Sequence, residues 1–278
     1  MKARRAICIS RASSTCTAVA GALAGAGLAV EHHEAVPADL AGVALVVVDR
    51  AARQAAGEAL RALHVPVVVV GDDLSDDGLI ALMLDAPVSH IVEDPQDRVL
   101  GVTSEKLASG DLFGLEKYVA SARVGERIVR DDITKRRAMD EVCVWAASVG
   151  ARRPVVHRIA SVTDELLMNA LGAGTGPARL RWAADDRTLA ISVGDAYGTL
   201  RQRDVIDHVR RARNERGRPQ PESDGGAGIG LYLVLANVAS LVVNVEPGHQ
   251  TEVVCLFDLA RGTRAAGGLR SLNVFAGA

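Results

Sequence analysis

The sequence predicts two consecutive domains, a doubly wound α/β domain followed by an α+β domain. Its 278 residues exceed a typical single domain and fit two modest ones, each able to bury its own core. Unbroken valine-rich runs at 43–49 and 65–70 are typical of parallel strands covered on both faces. The second half instead alternates amphipathic helices with hairpin-like pairs of strands, which is typical of an α+β domain.

Composition excludes several classes of function. The formal net charge is -2, so no global electrostatic attraction to nucleic acid or to an anionic membrane is expected. Only 3% of residues are aromatic, and no uncharged apolar run reaches about 18 residues, so neither a base-stacking array nor a membrane span is predicted. The cysteines show no CxxC spacing and are interpreted as reduced, largely buried thiols of a cytoplasmic protein: Cys8, Cys16, Cys143 and Cys255.

The first 110 residues alternate strand and helix patterns. Strands are expected at 6–10, 43–49, 65–70 and 90–95, and helices at 17–30 and 50–63. Strands with intervening helices in this length make a compact doubly wound domain.

Residues 1–110 resemble the receiver domain of two-component response regulators. Asp49, at the end of the run VVVD, falls where that family carries its phosphoacceptor aspartate. Ser10 and Arg11 stand in place of the acidic pair that holds Mg²⁺, Gly71 replaces Ser or Thr, and Asp94 replaces lysine. Charge developing on a phosphoryl group at Asp49 would therefore be uncompensated. We interpret residues 1–110 as a pseudo-receiver, an interaction or dimerisation module, in which a structural role of Asp49 is favoured and phosphorylation of Asp49 is the alternative.

The pair His32-His33, flanked by Glu31 and Glu34, is a second pattern that could suggest a metal. Nothing downstream in the sequence completes a ligand set around it. The sequence alone therefore predicts no metal site there.

The second half begins with helical patterns and ends with hairpins. A connector helix is expected within 111–131, followed by helices at 131–150 and 152–174. A hairpin at 178–198 should turn at Asp185-Asp186, and a helix at 231–240 precedes a hairpin at 241–259. The segment 263–278 is expected to be a C-terminal surface tail.

The stretch DGGAGIGL, residues 224–231, places four glycines directly before an apolar helix. A glycine-rich loop lets backbone N–H groups approach phosphate oxygens, and the helix N-terminus adds a partial positive charge. The stretch is neither a Walker loop nor a dinucleotide fingerprint, so on its own a plain glycine-rich hinge is the better interpretation.

The order of three motifs is more specific than any one of them. DELLMNAL at 164–171, VGDAYG at 193–198 and GGAGIGL at 225–231 resemble the ATP-binding domain of the GHKL family, which includes gyrase-type topoisomerases, Hsp90, histidine kinases and MutL. The resemblance covers residues 132–259, within a domain expected to span 132–262. It implies a Bergerat α+β sandwich that binds ATP and Mg²⁺.

Glu165 and Asn169 match the acidic residue and the asparagine of that family's N-box helix. They are four residues apart, so both lie on one helix face. The resemblance implies that the Asn169 side-chain carbonyl is a ligand of Mg²⁺. It implies that Glu165 is the catalytic residue that orients or deprotonates an attacking water or hydroxyl.

Asp195, at the end of a predicted strand, matches the aspartate that accepts a hydrogen bond from the adenine amino group. A partly buried carboxylate needs such a donor. The usual D-x-G-x-G motif is altered, because Tyr197 stands where a glycine is expected and Gly198 follows one position later.

Gly226, Gly228 and Gly230 match the phosphate loop of the family. The segment 199–224, between Gly198 and this loop, corresponds to the family's mobile lid and is rich in arginine. Its arginines either contact the triphosphate or an acidic partner, or they form an ordinary solvated face.

The branch of the family follows from what the connecting region contains. Residues 111–150 hold no histidine, and His157 lies within the helix that carries Glu165, so an autophosphorylating histidine kinase is disfavoured. The helix arrangement is closer to the anti-sigma-factor serine kinases. We expect a bacterial signalling protein that phosphorylates or sequesters a protein partner, with homodimer formation left open. The alternative is a non-catalytic nucleotide-binding, or nucleotide-free, pseudokinase scaffold of a two-component pathway. DNA binding is the weakest interpretation, since no basic recognition helix is apparent.

Overall fold

The computed structural model describes residues 4–71, 82–84, 88–120, 123–174, 176–214, 227–259 and 269–276. The chain divides into two compact units. Unit 1 comprises Met1–Leu112 and Arg270–Asn273, and unit 2 comprises Phe113–Leu269 and Val274–Ala278. Helices combine with parallel and antiparallel strand pairs, which confirms the mixed α/β fold. Among the described residues, no helix is both long and apolar enough to cross a membrane.

Unit 1 is built on parallel strands. Its strands are β1 (Arg4–Ile9), β2 (Leu28–His33), β3 (Val43–Asp49), β4 (Val67–Val70) and β5 (Val88–Val92). Its helices are α1 (Ser13–Ala24), α2 (Arg50–Ala55), α3 (Gly57–Arg61) and α4 (Arg98–Ser109). The strand order β2-β1-β3-β4-β5, with every pair parallel, is one of the common orders of doubly wound sheets.

Two helix predictions in unit 1 differ from the structure in where the helices end. The helix expected at 17–30 ends at Ala24, because Gly27 has a φ of 68° and turns the chain into β2. The helix expected at 50–63 is divided into α2 and α3 at Ala56. Strand β2 was not predicted as a strand, because its second half is polar.

Unit 2 is built on antiparallel strands and longer helices. Its strands are β6 (Gly125–Val129), β7 (Ala178–Ala184), β8 (Thr188–Asp195), β9 (Ser240–Glu246) and β10 (Gln250–Asp258). Its helices are α5 (Asp132–Ser148), α6 (Arg153–Gly172), α7 (Gln202–Asn214) and α8 (Ala227–Asn237). The order is β9-β10-β8-β7-β6, and both predicted hairpins, β7–β8 and β9–β10, are present.

Helix α6 is the central helix of unit 2. It contacts α5, α8, β7 and β8. Its buried face repeats at three- and four-residue intervals, with Ile159, Val162 and Leu166 at most 4% exposed. Burial of such side chains contributes about 1.5–3 kcal/mol each, so α6 is held firmly by the elements around it.

The segment 114–129 is not the connector helix that the sequence predicts. It forms a short 3₁₀ helix at Leu115–Tyr118 and strand β6. Gly125 pairs with Trp182 of β7 and lies against its indole ring, where a Cβ would overlap the ring. Trp182 also approaches Trp145 of α5, with ring centroids 6.2 Å apart. Pairing with β7 therefore overrides the local helical pattern.

The expected C-terminal tail contains a buried strand. Strand β11 (Ser271–Ala276) pairs antiparallel with β5, with Leu272 opposite Ile91 and Asn273 opposite His90. The Thr103 hydroxyl of α4 donates to Asn273 Oδ1 at 3.1 Å. Apolar residues at alternate positions explain why this segment packs instead of lying on the surface.

Candidate functional site

The sequence-predicted pair Glu165 and Asn169 lies on the C-terminal half of α6. The Asn169 amide nitrogen donates a hydrogen bond to Glu165 Oε1 at 3.2 Å. Asn169 is exposed and Glu165 is half-buried. Because the amide nitrogen faces the carboxylate, the amide oxygen of Asn169 faces away from it, where it can serve as a ligand for a cation.

Asp195 ends strand β8, in which residues 189–193 are buried. Its Oδ1 accepts hydrogen bonds from the backbone N–H groups of Tyr197, at 2.9 Å, and Gly198, at 3.4 Å. Its Oδ2 accepts none from the residues that the structure describes. The turn therefore fixes the carboxylate through one oxygen and leaves the other for a donor such as an exocyclic amine.

Tyr197 stands where a glycine was expected, and its ring lies against Gly174 and Gly176. A Cβ at either glycine would overlap the tyrosine side chain. The Gly176 N–H donates a hydrogen bond to the Tyr197 hydroxyl oxygen. Gly174 follows two residues after the end of α6, so this contact joins the end of β8 to the end of α6. It brings the turn of Asp195 close to the helix end that carries Asn169.

Gly198 is buried, has a φ of 59° and lies against the β9–β10 turn. A Cβ there would overlap the Glu246 carbonyl oxygen and lie 2.8 Å from Gly248 N. The Gly248 N–H also donates to the Gly198 carbonyl oxygen at 3.3 Å. The displaced glycine thus allows the backbone after Asp195 to approach this turn closely.

Two of the three predicted loop glycines, Gly228 and Gly230, fall within the first four residues of α8. N–H groups in the first turn of a helix have no intrahelical partner and bind phosphate oxygens readily. Gly226 lies outside the described residues. Helix α8 contacts α6, so the elements that carry the first and third motifs are neighbours.

The predicted lid segment contains helix α7, which ends at Asn214, and residues 215–226 lie outside the described part. Within α7 the Arg203 guanidinium pairs with Asp207, four residues later, at 3.7 Å. This exposed pair is an ordinary surface contact. For Arg203, therefore, the solvated-face alternative fits best.

In unit 1, Asp49 serves as the N-cap of α2. Its Oδ1 accepts from the Ala52 N–H at 2.7 Å, and its Oδ2 accepts from the Ser10 hydroxyl. The Arg11 side chain instead pairs with Glu34 at 3.6 Å. Both Asp49 oxygens are thus engaged in contacts that hold α2 and the end of β1.

Sequence reasoning missed one buried carboxylate in unit 2, Glu252 of β10. Its Oε2 accepts hydrogen bonds from Gly114 N at 2.8 Å and from Asn244 Nδ2 at 3.0 Å, and Arg181 lies 3.9 Å from Oε1. Burial, reinforced by the Glu252 charge, raises the pKa of Tyr118 well above its ordinary value. The strand pattern of 250–258 could have revealed the inward-facing glutamate, but not its partners. Glu252 anchors the 3₁₀ segment and is not close to the N-box pair in any described contact.

The sequence matches no protein-family model and no curated protein. Among solved structures, it is similar to the crystal structure of the SiaB-SiaC complex from Pseudomonas aeruginosa. The similarity has a TM-score of 0.37 at 13% sequence identity and covers 49% of this chain and 89% of that chain.

Proposed function

We propose that the chain is a signalling protein whose unit 2 binds Mg·ATP as a GHKL domain, with unit 1 acting as a pseudo-receiver interaction module. The observation that carries the proposal is the contact between Tyr197 and Gly176. It joins the end of β8 to the end of α6, so that Asp195 and the Glu165–Asn169 pair are held on linked elements. A nucleotide needs both groups, one at its base and one at its phosphates.

The donor set fits Mg·ATP. The amide oxygen of Asn169 is a hard oxygen ligand of the kind that Mg²⁺ shares with phosphates. The start of α8, with Gly228 and Gly230, offers backbone N–H groups to phosphate oxygens. Asp195 Oδ2 is available to accept the adenine amino group, because Oδ1 already holds the turn.

Within this proposal Glu165 takes the role of general base. Bound ATP would supply the γ-phosphoryl group and leave as ADP, and Mg²⁺ held by Asn169 would offset the negative charge of the phosphates. Glu165 would accept the proton of a serine or threonine hydroxyl of a protein partner as that oxygen attacks phosphorus. The hydrogen bond from Asn169 holds the carboxylate in place for this step. The reaction class is thus protein phosphorylation on a hydroxyl.

A second candidate function is a nucleotide-dependent switch without phosphoryl transfer. It is favoured by Tyr197, which stands at the position of a motif glycine and packs its side chain against Gly174 and Gly176. Such a protein would bind nucleotide and alter its affinity for a partner.

Calorimetric titration with a non-hydrolysable ATP analogue and Mg²⁺ tests nucleotide binding. The unmodified protein is expected to bind, and Asn169→Ala and Asp195→Asn are expected to weaken binding at least about tenfold each, equivalent to about 1.4 kcal/mol. Asp140→Asn, an exposed carboxylate change on α5, is the matched control and should leave affinity unchanged. Absence of binding by the folded, unmodified protein would refute the nucleotide site.

Labelled ATP separates the two candidates once binding is established. Glu165→Gln should retain nucleotide affinity but lose ATP turnover and phosphate transfer to a partner. If the unmodified protein binds ATP yet neither hydrolyses nor transfers it, the switch is the correct function.

A further inference from the structure

Three side chains of types that bind metals converge in unit 1, whereas the residues proposed above to bind nucleotide belong to unit 2. The Sγ atoms of Cys8 and Cys16 and a ring nitrogen of His32 all lie within 4.8 Å of one another. We propose that Cys8, Cys16 and His32 form a binding site for a thiophilic divalent metal ion of the Zn²⁺ class. This site is independent of the proposed nucleotide function.

Strand pairing accounts for the convergence. Cys8 of β1 and His32 of β2 are register partners in a parallel pair, so their side chains extend from the same face of the sheet. Helix α1 contacts both strands and carries Cys16 in its first turn. The three ligands therefore come from three elements whose positions are fixed by the core of unit 1.

The ligand types define the class of metal. Two thiolates and one imidazole suit Zn²⁺ and other thiophilic ions, and they disfavour Mg²⁺ or Ca²⁺, which require oxygen ligands. Tetrahedral Zn²⁺ with bonds of about 2.0–2.3 Å needs ligand atoms roughly 3.4–3.8 Å apart, so closure by about 1 Å completes the set. The cluster is already near this geometry.

The three residues differ in their burial, which leaves one side of the site open to solvent. Cys8 is buried, Cys16 is half-buried and His32 is exposed. An ion can therefore enter from the His32 side and retain a water or an external ligand as its fourth partner. Three protein ligands with one open position is the arrangement of reactive rather than closed structural zinc sites.

The Cys8 thiol is protonated at neutral pH in the absence of an ion. Burial, with the nearby Cys16 and Asp49, raises the pKa of the Cys8 thiol to about 12. The Cys16 S–H donates weakly to the Ser10 carbonyl oxygen at 3.7 Å. Metal binding thus has to displace the thiol protons, as it commonly does. A disulfide between Cys8 and Cys16 is the competing use of this pair, but it gives no role to His32.

Titration of the full chain with Co²⁺ tests the site directly. The protein is stripped of metal with a chelator, dialysed and kept reduced. Saturation at one equivalent is expected, with the absorption of thiolate-to-cobalt charge transfer, and one equivalent of Zn²⁺ should abolish that absorption. Cys16→Ser and His32→Ala should each weaken Co²⁺ affinity at least about a hundredfold, since changes to outer-shell partners alone cost 10–100-fold.

Controls separate the site from general thiol binding. Cys143→Ser alters a half-buried cysteine of α5 and should leave the Co²⁺ titration unchanged. The substitutions are made at the more exposed Cys16 and His32, because Cys8 is buried and its replacement could prevent folding. In a second measurement, Zn²⁺ should raise the melting temperature of the unmodified protein but not that of Cys16→Ser. A reduced, folded protein that takes up no Co²⁺, or binding that survives both substitutions, overturns the proposal. So does a Cys8–Cys16 disulfide found by mass spectrometry in protein that binds no metal after reduction.

Discussion

The Tyr197 hydroxyl oxygen accepts a hydrogen bond from the backbone N–H of Gly176, across 21 residues of sequence. The tyrosine ring rests on a chain segment that has no side chains at Gly174 and Gly176. The two glycines and the tyrosine therefore pack as one group. The energetic cost of a substitution at one of them should depend on which residue stands at the others.

Gly174→Ala tests this coupling. The new Cβ would overlap the tyrosine ring, so we expect the free energy of unfolding to fall by about 1–3 kcal/mol. In a Tyr197→Ala background the same change should cost much less, because the ring is gone. Urea unfolding followed by circular dichroism measures the cycle. Gly172→Ala, at the end of α6 with open space around it, is the control and should be neutral or stabilising. Equal costs in both backgrounds would contradict the coupling.

Gly198→Ala should be among the most damaging single changes in unit 2. Its positive φ and its closeness to the backbone of Glu246 and Gly248 leave no room for a Cβ, so we expect a loss of about 3 kcal/mol or more. Gly248→Ala has a similar φ of 74° but open space, and should cost only about 1 kcal/mol. Thermal unfolding of the two variants separates the destabilisation caused by the close contact from the destabilisation caused by backbone strain alone. Similar costs at both positions would show that the close approach is unimportant.

Asp49→Ala should destabilise unit 1 through the loss of a helix cap. We expect about 1–2 kcal/mol, because both the Ala52 N–H and the Ser10 hydroxyl lose their acceptor. Asp97→Ala removes a cap of α4 that accepts from Val99 N at 3.0 Å, and should cost about 1 kcal/mol. Urea unfolding gives both values.

Incubation with acetyl phosphate and Mg²⁺ should add no phosphoryl group at Asp49, and stoichiometric labelling there would contradict the pseudo-receiver interpretation.

The stability of the protein should fall in mild acid because of His90. Burial, and secondarily the charge of Lys106, lowers the pKa of His90 to about 3 in the folded state. The unfolded chain, with a pKa of about 6.5, binds the proton first, so stability is complete above pH 6.5 and decreases as pH falls towards 3. Between pH 7 and 5 this residue alone should remove about 2 kcal/mol. Urea unfolding of His90→Gln at the two pH values should show a correspondingly smaller decrease, whereas His64→Gln, at an exposed position, should behave like the unmodified protein.

Local patterns were sufficient to predict the elements that the core fixes. The spacing of Ile159, Val162 and Leu166 revealed α6, and the valine runs revealed β3 and β4, because burial on one or both faces determines these patterns. The polar end of β2, at His32 and His33, lacks such a pattern, so that strand was missed. Segment 114–129 pairs with β7, and this non-local interaction is not visible in the local sequence pattern. The local pattern alone therefore led to the prediction of a helix.

Sequence spacing likewise predicts one part of the candidate site and not the rest. The i, i+4 spacing of Glu165 and Asn169 already places them on one helix face, and their hydrogen bond agrees with it. The contact between Tyr197 and Gly176 depends on how the end of β8 packs near the end of α6. The spacing of residues in the sequence carries no information about that packing. The cluster of Cys8, Cys16 and His32 depends on the register of β1 and β2, so no spacing rule could have found it.

The packing of Trp182 against Gly125 and near Trp145 has a practical consequence. These are the two tryptophans of the chain, and both belong to unit 2. Intrinsic fluorescence therefore monitors unit 2 selectively, and the rings, at 6.2 Å, exchange excitation energy efficiently. A chemical denaturation curve read by tryptophan emission and one read by backbone signal need not coincide. Any difference between the two curves would isolate the unfolding of unit 1 without cutting the chain.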